Sequence, residues 1–358
     1  MKVRFLAIYL PQYHPIPENN EWYGEGFTEW TNVAKAKPLF KGHYQPHIPA
    51  DLGFYDLRLK ESRLAQVELA KSYGIEGFCY WHYWFGNGKQ LLEMPFNEVV
   101  KDKDIDFPFC LAWANHDWEK KLWDNKGNNK IIAKQTYNGE KDHIEHFNSL
   151  LNAFKDERYI KVDGKLLFFI YNPFDSEEIP QKMKLWNELA KKHGLKGFYF
   201  VAKTFFNEKK QKLLELGFDS IYSDNMLGIH RNLSTFHKVK LLLERKILKR
   251  PTVFSYKEAA KFFVTKDSYS ETTIPVIIPN WDHSPRSAAN GFIFKNSEPK
   301  YFQKVVEEAL EAVKEKSEEK RIILIKSWNE WGEGNHLEPD LKYGKGYLEA
   351  IKKAVKNK

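Results

Sequence analysis

Hydrophobic positions along the chain fall into two alternating kinds of segment. Short, nearly continuous apolar runs are followed by stretches in which apolar residues return every three or four positions, and the order repeats throughout. Eight runs read as strands: Val3 to Tyr9, Glu76 to Tyr80, Phe107 to Ala112, Leu166 to Ile170, Gly197 to Val201, Ser220 to Tyr222, Pro275 to Ile278 and Ile322 to Lys326. Helices are expected over Arg58 to Tyr73, Ile144 to Phe154, Pro180 to Lys192, Glu208 to Leu216, Pro299 to Lys316 and Tyr347 to Val355. Gly74, Gly194 and Gly217 stand where helices must stop before three of the strands.

Runs such as Leu-Leu-Phe-Phe-Ile lack polar alternation, so both faces must be buried, as in a parallel sheet covered by helices. Eight such units predict an α/β fold of the (β/α)8 barrel type, one domain over residues 1–358. The alternative is a doubly wound sheet. Its nucleotide-binding versions carry a glycine fingerprint after a strand, and neither G-x-G-x-x-G nor a Walker sequence occurs.

Two connections are too long to be simple linkers, residues 10–56 and 223–273. The first carries Tyr13, Trp22, Tyr23, Phe27, Trp30, Tyr44 and Phe54 among Pro, Gly and His. It is expected to fold as a cap over one end of the barrel. The second contains residues 238–250, where Lys238, Lys240, Arg245, Lys246, Lys249 and Arg250 are interleaved with Leu241 to Leu243, Ile247 and Leu248. That pattern reads as a barrel helix with its leucines on the core. The alternative is a weak peripheral contact with an anionic membrane.

Composition narrows the function. Of 358 residues 42% are hydrophobic and 29% charged, with 20 Gly and 16 Pro, which excludes collagen, disordered chains and disulfide scaffolds. Aromatic residues make up 15%, more than a core of this size needs, so some rings are expected to line a site. Lys and Arg exceed Asp and Glu by 56 to 48, but abundance of both signs implies a mixed, solvated surface, and no nucleic-acid partner is expected. Cys79 and Cys110 lie in apolar runs and read as buried free thiols in a reducing compartment. Phe5 to Leu10 is too short for a signal-peptide core and no run approaches a membrane span, so a soluble, cytoplasmic protein is expected. Oligomeric state leaves no mark in the sequence.

In a barrel of this kind chemistry is built at the C-terminal ends of the strands. The first strand is followed by Tyr9, Gln12 and His14, the second by Trp81, His82 and Trp84, and the third by Trp113, Asn115 and Trp118. The fourth ends in Tyr171, the sixth in Tyr222, the seventh in Asn280 and Trp281, and the eighth in Trp328, Asn329, Glu330, Trp331 and Glu333. Trp30 comes from the first long connection. Flat apolar rings suit the faces of pyranose sugars, and amides, histidines and carboxylates suit their hydroxyls, so a carbohydrate substrate is expected.

Glu330 and Glu333, three residues apart at a strand end, can present two carboxylates to one pocket, as glycoside chemistry requires. The alternative is a helix start, with Glu333 an ordinary first-turn acid. His14, His43, His47, His82 and His116 match no tight zinc spacing and read as hydrogen-bonding groups, so no metal or cofactor is expected.

The segments A-I-Y-L-P-Q-Y-H-P, G-F-C-Y-W-H-Y-W-F, L-A-W-A-N and W-N-E-W-G-E-G-N-H-L-E-P together resemble the WbsX-like family, related to glycoside hydrolase family 99. The resemblance implies a (β/α)8 barrel with its site at the strand C-termini, and Glu330 and Glu333 as catalytic carboxylates. It further implies a retaining mechanism in which Glu330 deprotonates the sugar 2-hydroxyl, which attacks the anomeric carbon to give a 1,2-anhydro sugar. Glu333 then protonates the leaving oxygen and activates water. Members named for lipopolysaccharide and polysaccharide gene clusters are often described as glycosyltransferases. A transferase would hold a nucleotide diphosphate, and the D-x-D here, Asp102 to Asp104, precedes the third strand. A non-catalytic glycan-binding barrel is a third reading, which would keep the rings and lose the acids.

Overall fold

A computed structural model describes residues 2–120, 130–204, 209–247 and 249–357. Glu208 and Leu248, members of two expected helical segments, lie outside these ranges.

The apolar runs assemble into one parallel sheet of nine segments: β1 (Arg4–Tyr9), β2 (Gly77–Trp84), β3 (Phe109–Trp113), β4 (Lys165–Ile170), β5 (Phe198–Lys203), β6 (Ser220–Tyr222), β7 (Thr273–Ile274), β8 (Val276–Ile277) and β9 (Ile322–Ile325). Their order is β7, β6, β5, β4, β3, β2, β1, β9, β8, each pair parallel. The two ends of that order, β7 and β8, are separated in the chain by Pro275 alone. They are halves of one interrupted strand, and the sheet comes round on itself as the expected (β/α)8 barrel. The interruption has a local cause: proline has no N–H to give the ladder. Its carbonyl still accepts from the Leu324 N–H at 3.0 Å, which holds the second half against β9.

The helices are α1 (Pro17–Tyr23), α2 (Glu29–Lys35), α3 (Lys60–Ser72), α4 (Met94–Lys101), α5 (Gly139–Phe154), α6 (Glu178–Lys192), α7 (Lys210–Glu215), α8 (Thr235–Lys246), α9 (Pro299–Val313) and α10 (Gly346–Lys356), besides short turns. On α9 the residues Phe302, Val305, Val306, Ala309, Leu310 and Val313 are buried at helical spacing. Each of the larger ones contributes about 1.5–3 kcal/mol by leaving water. Gly74 and Gly194, just past α3 and α6, hold φ of 79° and 77°, a conformation open to glycine at little cost.

Side chains alternate across each strand, and this sorts the aromatic residues. On β2, Tyr80 meets Phe96 of α4, His82 meets His146 of α5, and Trp84 stacks on His146, so these face the helices. Cys79, Trp81 and Tyr83 take the opposite, inner face. Cys79 and Cys110 are buried free thiols, as expected.

The first long connection folds into α1 and α2, and packs Trp30 against Trp331 beyond the end of β9. The second contains α8 and the strand Thr252–Ser255, which pairs in parallel with Phe292–Lys295 outside the barrel. Here the structure corrects the expectation for residues 238–250. No residue of α8 is buried, and of Leu241 to Leu243 only Leu241 packs against the core. Asp102 and Asp104 lie between α4 and β3, at the N-terminal end of the barrel, both paired with Lys60 at 2.9 and 2.6 Å.

Candidate active site

At the C-terminal end of the barrel the strand ends and the first connection enclose a cavity of about 500 Å³. Its floor is Glu330 and Lys326, just past β9, and its walls include Trp81 and Tyr83 of β2, Tyr171 after β4, Trp281 after β8 and Trp118 after β3. Gln12, Asn19, Tyr23 and Glu29 come from the first connection.

Glu330 begins a tight turn, Trp331–Glu333, that returns antiparallel so that Asn329 and Glu330 face His336 and Asn335. Several buried bonds fix the turn. The Asn329 carboxamide accepts from the Leu10 N–H at 2.7 Å and donates to the Leu10 carbonyl at 3.1 Å. Tyr13 donates its hydroxyl to the Asn329 carbonyl and accepts from the Trp331 N–H at 3.1 Å. Asn280 bonds both backbone groups of His336, and the Trp331 indole donates to Glu338 at 2.6 Å while its ring stacks on His336. A site built on such a frame is preorganised rather than assembled by substrate.

Glu330 accepts from the Trp81 indole at 2.9 Å and from the Ser327 hydroxyl at 3.1 Å. Glu333 is held by the Arg286 guanidinium at 2.6 Å, with His283 at 3.5 Å, and Arg286 also binds Glu29 at 2.8 Å. The two environments push the two carboxyls apart. Burial and the neighbouring Glu333 charge raise Glu330 to about 7. Burial also presses Glu333 upward, but Arg286 and His283 outweigh it and hold that carboxyl well below its usual range. The two environments thus favour a proton on Glu330 and charge on Glu333. That bias is the reverse of the acid and base division implied by the family resemblance. Paired titratable groups driven apart in this way are the mark of acid and base work.

Lys326 is buried beside Asp224, at 3.0 Å, and stands 4.9 Å above the Trp281 ring. Burial presses its ammonium toward neutrality, but Asp224 and Glu333 more than offset this and keep it charged. Among the described residues, two polar groups of the wall are buried without a hydrogen-bond partner: the carboxamide of Asn19, at both its nitrogen and its oxygen, and the indole N–H of Trp281. Such unpaired buried groups are costly to the fold.

Of the residues expected to bind substrate, Gln12, Trp81, Tyr171 and Trp281 line the cavity together with Glu330 and Glu333. The others are placed elsewhere. Tyr9 faces α3 and donates to Gln66 at 2.7 Å; Trp113 lies under Lys182 of α6; His82 and Trp84 face α5. These four sit on the outer side of their strands. Tyr222 is buried inside the barrel against Phe169, and Trp328 is buried beside Phe78. Asn115 bonds the Asn172 backbone and Tyr137, and His14 is buried near Asp56. Trp30, Asn280, Asn329 and Trp331 belong to the frame of the turn. The residues that sequence reasoning passed over are Glu29, Asn19, Tyr83, His283 and Arg286. Tyr83 shares the inner face of β2 with Trp81, two residues away.

The five histidines considered as ligands do not converge. His43 bonds Asp282 at 2.6 Å, while His116 lines the cavity. Among the described residues, the group able to hold a cation is His47, His336 and Asp340, with one ligand atom each within 4.8 Å of the others. His336 directs Nδ1 at the Glu338 carbonyl, 3.0 Å away, so its Nε2 is an acceptor for His47 Nδ1 at 3.0 Å. The group is thus satisfied by hydrogen bonding alone.

Comparison with known proteins agrees with this geometry. Among solved structures, a glycoside hydrolase-like protein superposes with a TM-score of 0.62 at 15% identity, covering 98% of this chain and 93% of the other. The GH99 endo-alpha-mannosidase from Bacteroides thetaiotaomicron superposes with a TM-score of 0.61 at 15% identity, covering 100% of this chain and 98% of the other. These likenesses establish the shared fold. An uncharacterized protein, WxcX, from Xanthomonas campestris pv. campestris (strain B100) is 34% identical over 355 residues, 98% of this chain and 49% of the relative. The chain thus spans about half the length of the curated relatives it matches. The family model described as Glycosyltransferase WbsX matches residues 5–351, and the chain belongs to the WbsX family.

Proposed function

We propose that the chain cleaves glycosidic bonds in a bacterial surface polysaccharide or oligosaccharide, with Glu330 and Glu333 as its proton-transfer pair. The observation that carries this reading is the pair itself: two carboxyls at the end of β9, facing an aromatic-walled cavity, one pushed up by burial and the other held down by Arg286. The mechanism is retaining and passes through a 1,2-anhydro sugar. The 2-hydroxyl gives its proton to Glu330 as its oxygen bonds the anomeric carbon, and Glu333 gives a proton to the leaving oxygen as the glycosidic bond breaks. Water then opens the anhydro ring, giving one proton to Glu333 while Glu330 returns one to the 2-oxygen. Because burial favours a proton on Glu330 and Arg286 favours charge on Glu333, this mechanism requires substrate binding to shift the proton toward Glu333.

A second reading, glycosyl transfer, is favoured by the description of the family model. A nucleotide-sugar donor needs cationic groups for its diphosphate. Among the described residues the Lys and Arg side chains lining the cavity are Arg286 and Lys326, and both are already paired with carboxylates. Carboxylates dominate the lining, with Glu29, Asp117, Glu119, Glu330 and Glu333. That balance supports hydrolysis of a saccharide over capture of a diphosphate.

The test is digestion of a panel of bacterial surface glycans, with product analysis and the anomeric configuration read by NMR. Glu330→Gln and Glu333→Gln should each lower turnover by about 10²–10⁴-fold while leaving saccharide binding in place. A substrate with an activated aryl leaving group needs no acid, so it should rescue Glu333→Gln and leave Glu330→Gln inactive. Rescue of the opposite variant would exchange the two roles. Turnover only with a nucleotide sugar would establish transfer, and wild-type rates in both Gln variants would remove the pair from the chemistry.

A further inference from the structure

We propose that α8 is a surface-seeking helix that docks this chain onto an anionic lipid bilayer. No residue of α8 is buried, yet Phe236, Val239, Leu243 and Ile247 recur at positions i, i+3, i+7 and i+11 and so form one stripe. Phe236 is 75% exposed, Ile247 69% and Leu243 50%, and Leu242, beside Val239, is exposed at 43%. Scattered apolar residues on a surface need no explanation, but a continuous stripe on a helix with no buried face does. The same helix shows why it stays docked on the protein at all: Leu241, on the opposite side, packs against the core.

Charge identifies the partner. Lys240 and Lys246 border the stripe, and Lys238, Arg245, Lys249 and Arg250 add to a segment whose acid is Glu244. An apolar stripe edged with lysines matches a bilayer interface, where the rings and leucines enter the acyl boundary and the ammonium groups rise to anionic headgroups. A protein partner would have to offer an acidic apolar groove instead. No helix among the described residues is long and apolar enough to cross a membrane, so the contact lies along the surface. The connection that carries α8 leaves the barrel after β6, at the end where the cavity lies. Docking would bring that end of the barrel toward the lipid.

The experiment is flotation of the purified full chain with vesicles of phosphatidylcholine alone and of phosphatidylcholine mixed with phosphatidylglycerol, at low and high salt. The chain should float with the anionic vesicles at low salt and be released by salt. Lys240→Glu with Lys246→Glu should weaken partitioning by about fivefold or more per reversed charge. The triple variant Phe236→Ser, Leu243→Ser, Ile247→Ser should weaken it at least about tenfold, with an unchanged unfolding midpoint because these side chains lie outside the core. Absence of flotation with anionic vesicles, or equal flotation with both kinds, overturns the proposal. So does a concentration-dependent dimer that the triple variant abolishes, which would make a second copy the occupant. None of these outcomes bears on Glu330 and Glu333.

Discussion

Replacing Arg286 by methionine isolates the charge that drives the two carboxyls apart. The guanidinium lies 2.6 Å from Glu333 and 2.8 Å from Glu29, and it is the largest influence lowering Glu333 against its burial. Unit charges about 4 Å apart at an effective dielectric constant of about 20 interact by about 4 kcal/mol. At about 1.4 kcal/mol per pH unit, removing the charge should raise the Glu333 carboxyl by about three pH units. Activity needs one proton on the pair, so kcat/KM should follow a bell whose acid limb belongs mainly to Glu333. In Arg286→Met that limb should move upward by about two to three pH units, and the maximum should narrow and fall. Carboxyl carbon NMR of glutamate-labelled protein gives the same titration without substrate. Stability changes as well, and its sign follows from the same shift. Wild-type Glu333, held low, stabilises the fold above the unfolded carboxyl value and loses that contribution as pH falls through its folded value. In the variant that contribution shrinks, so the loss of stability on acidification through this group weakens, and at neutral pH the broken pair costs about 3–5 kcal/mol. A folded variant with an unmoved acid limb and an unmoved NMR titration would refute the reasoning.

Gly332→Ala places a methyl 1.6 Å from the Glu29 carboxylate and 3.0 Å from Arg286, so a urea titration should show a loss of about 1–3 kcal/mol. Adding Glu29→Ala should make the combined loss smaller than the sum of the two. Glu338 is pushed up to about 7 by burial, against bonds from Trp331, Gln66 and Tyr55, so stability falls as pH rises from 4.5 toward about 7 and then levels. Glu338→Gln should flatten that slope, worth about 3 kcal/mol at most, in unfolding midpoints measured across pH. Asn19→Leu removes an unpaired buried amide that costs about 1–3 kcal/mol, so it should hold or raise the midpoint while weakening saccharide binding about tenfold in calorimetry. A lower midpoint would give Asn19 a structural role instead.

The barrel was legible because its strands are apolar on both faces, and the same property hid part of the site. On β2 every residue from Gly77 to Trp84 is buried, so nothing in the sequence separates Trp81 and Tyr83, which face the cavity, from His82 and Trp84, which face α5. Glu330 and Glu333 stood out through local spacing. Glu29 and Arg286 did not, because they meet across 257 residues and each reads alone as an ordinary surface charge. Asn280 and Asn329 were picked as sugar ligands for their amides, yet those amides bond backbone, a use that composition cannot distinguish from binding. The leucines of α8 were assigned to the core by periodicity, which reports that a helix has an apolar face but not what covers it.

The close approach of Gly332 to Glu29 has a consequence for how such proteins diverge. A side chain at position 332 and a carboxylate at position 29 exclude one another, and Arg286 depends on that carboxylate for one of its two partners. The three positions are coupled through space. A lineage can acquire a side chain at 332 only after position 29 has shortened or turned away, and Arg286 then answers to Glu333 alone. Glu29 thus joins Tyr13 and Trp30 among the points where the first connection is tied to the turn after β9, and only the stretches between such points are open to change that alters what the cavity admits.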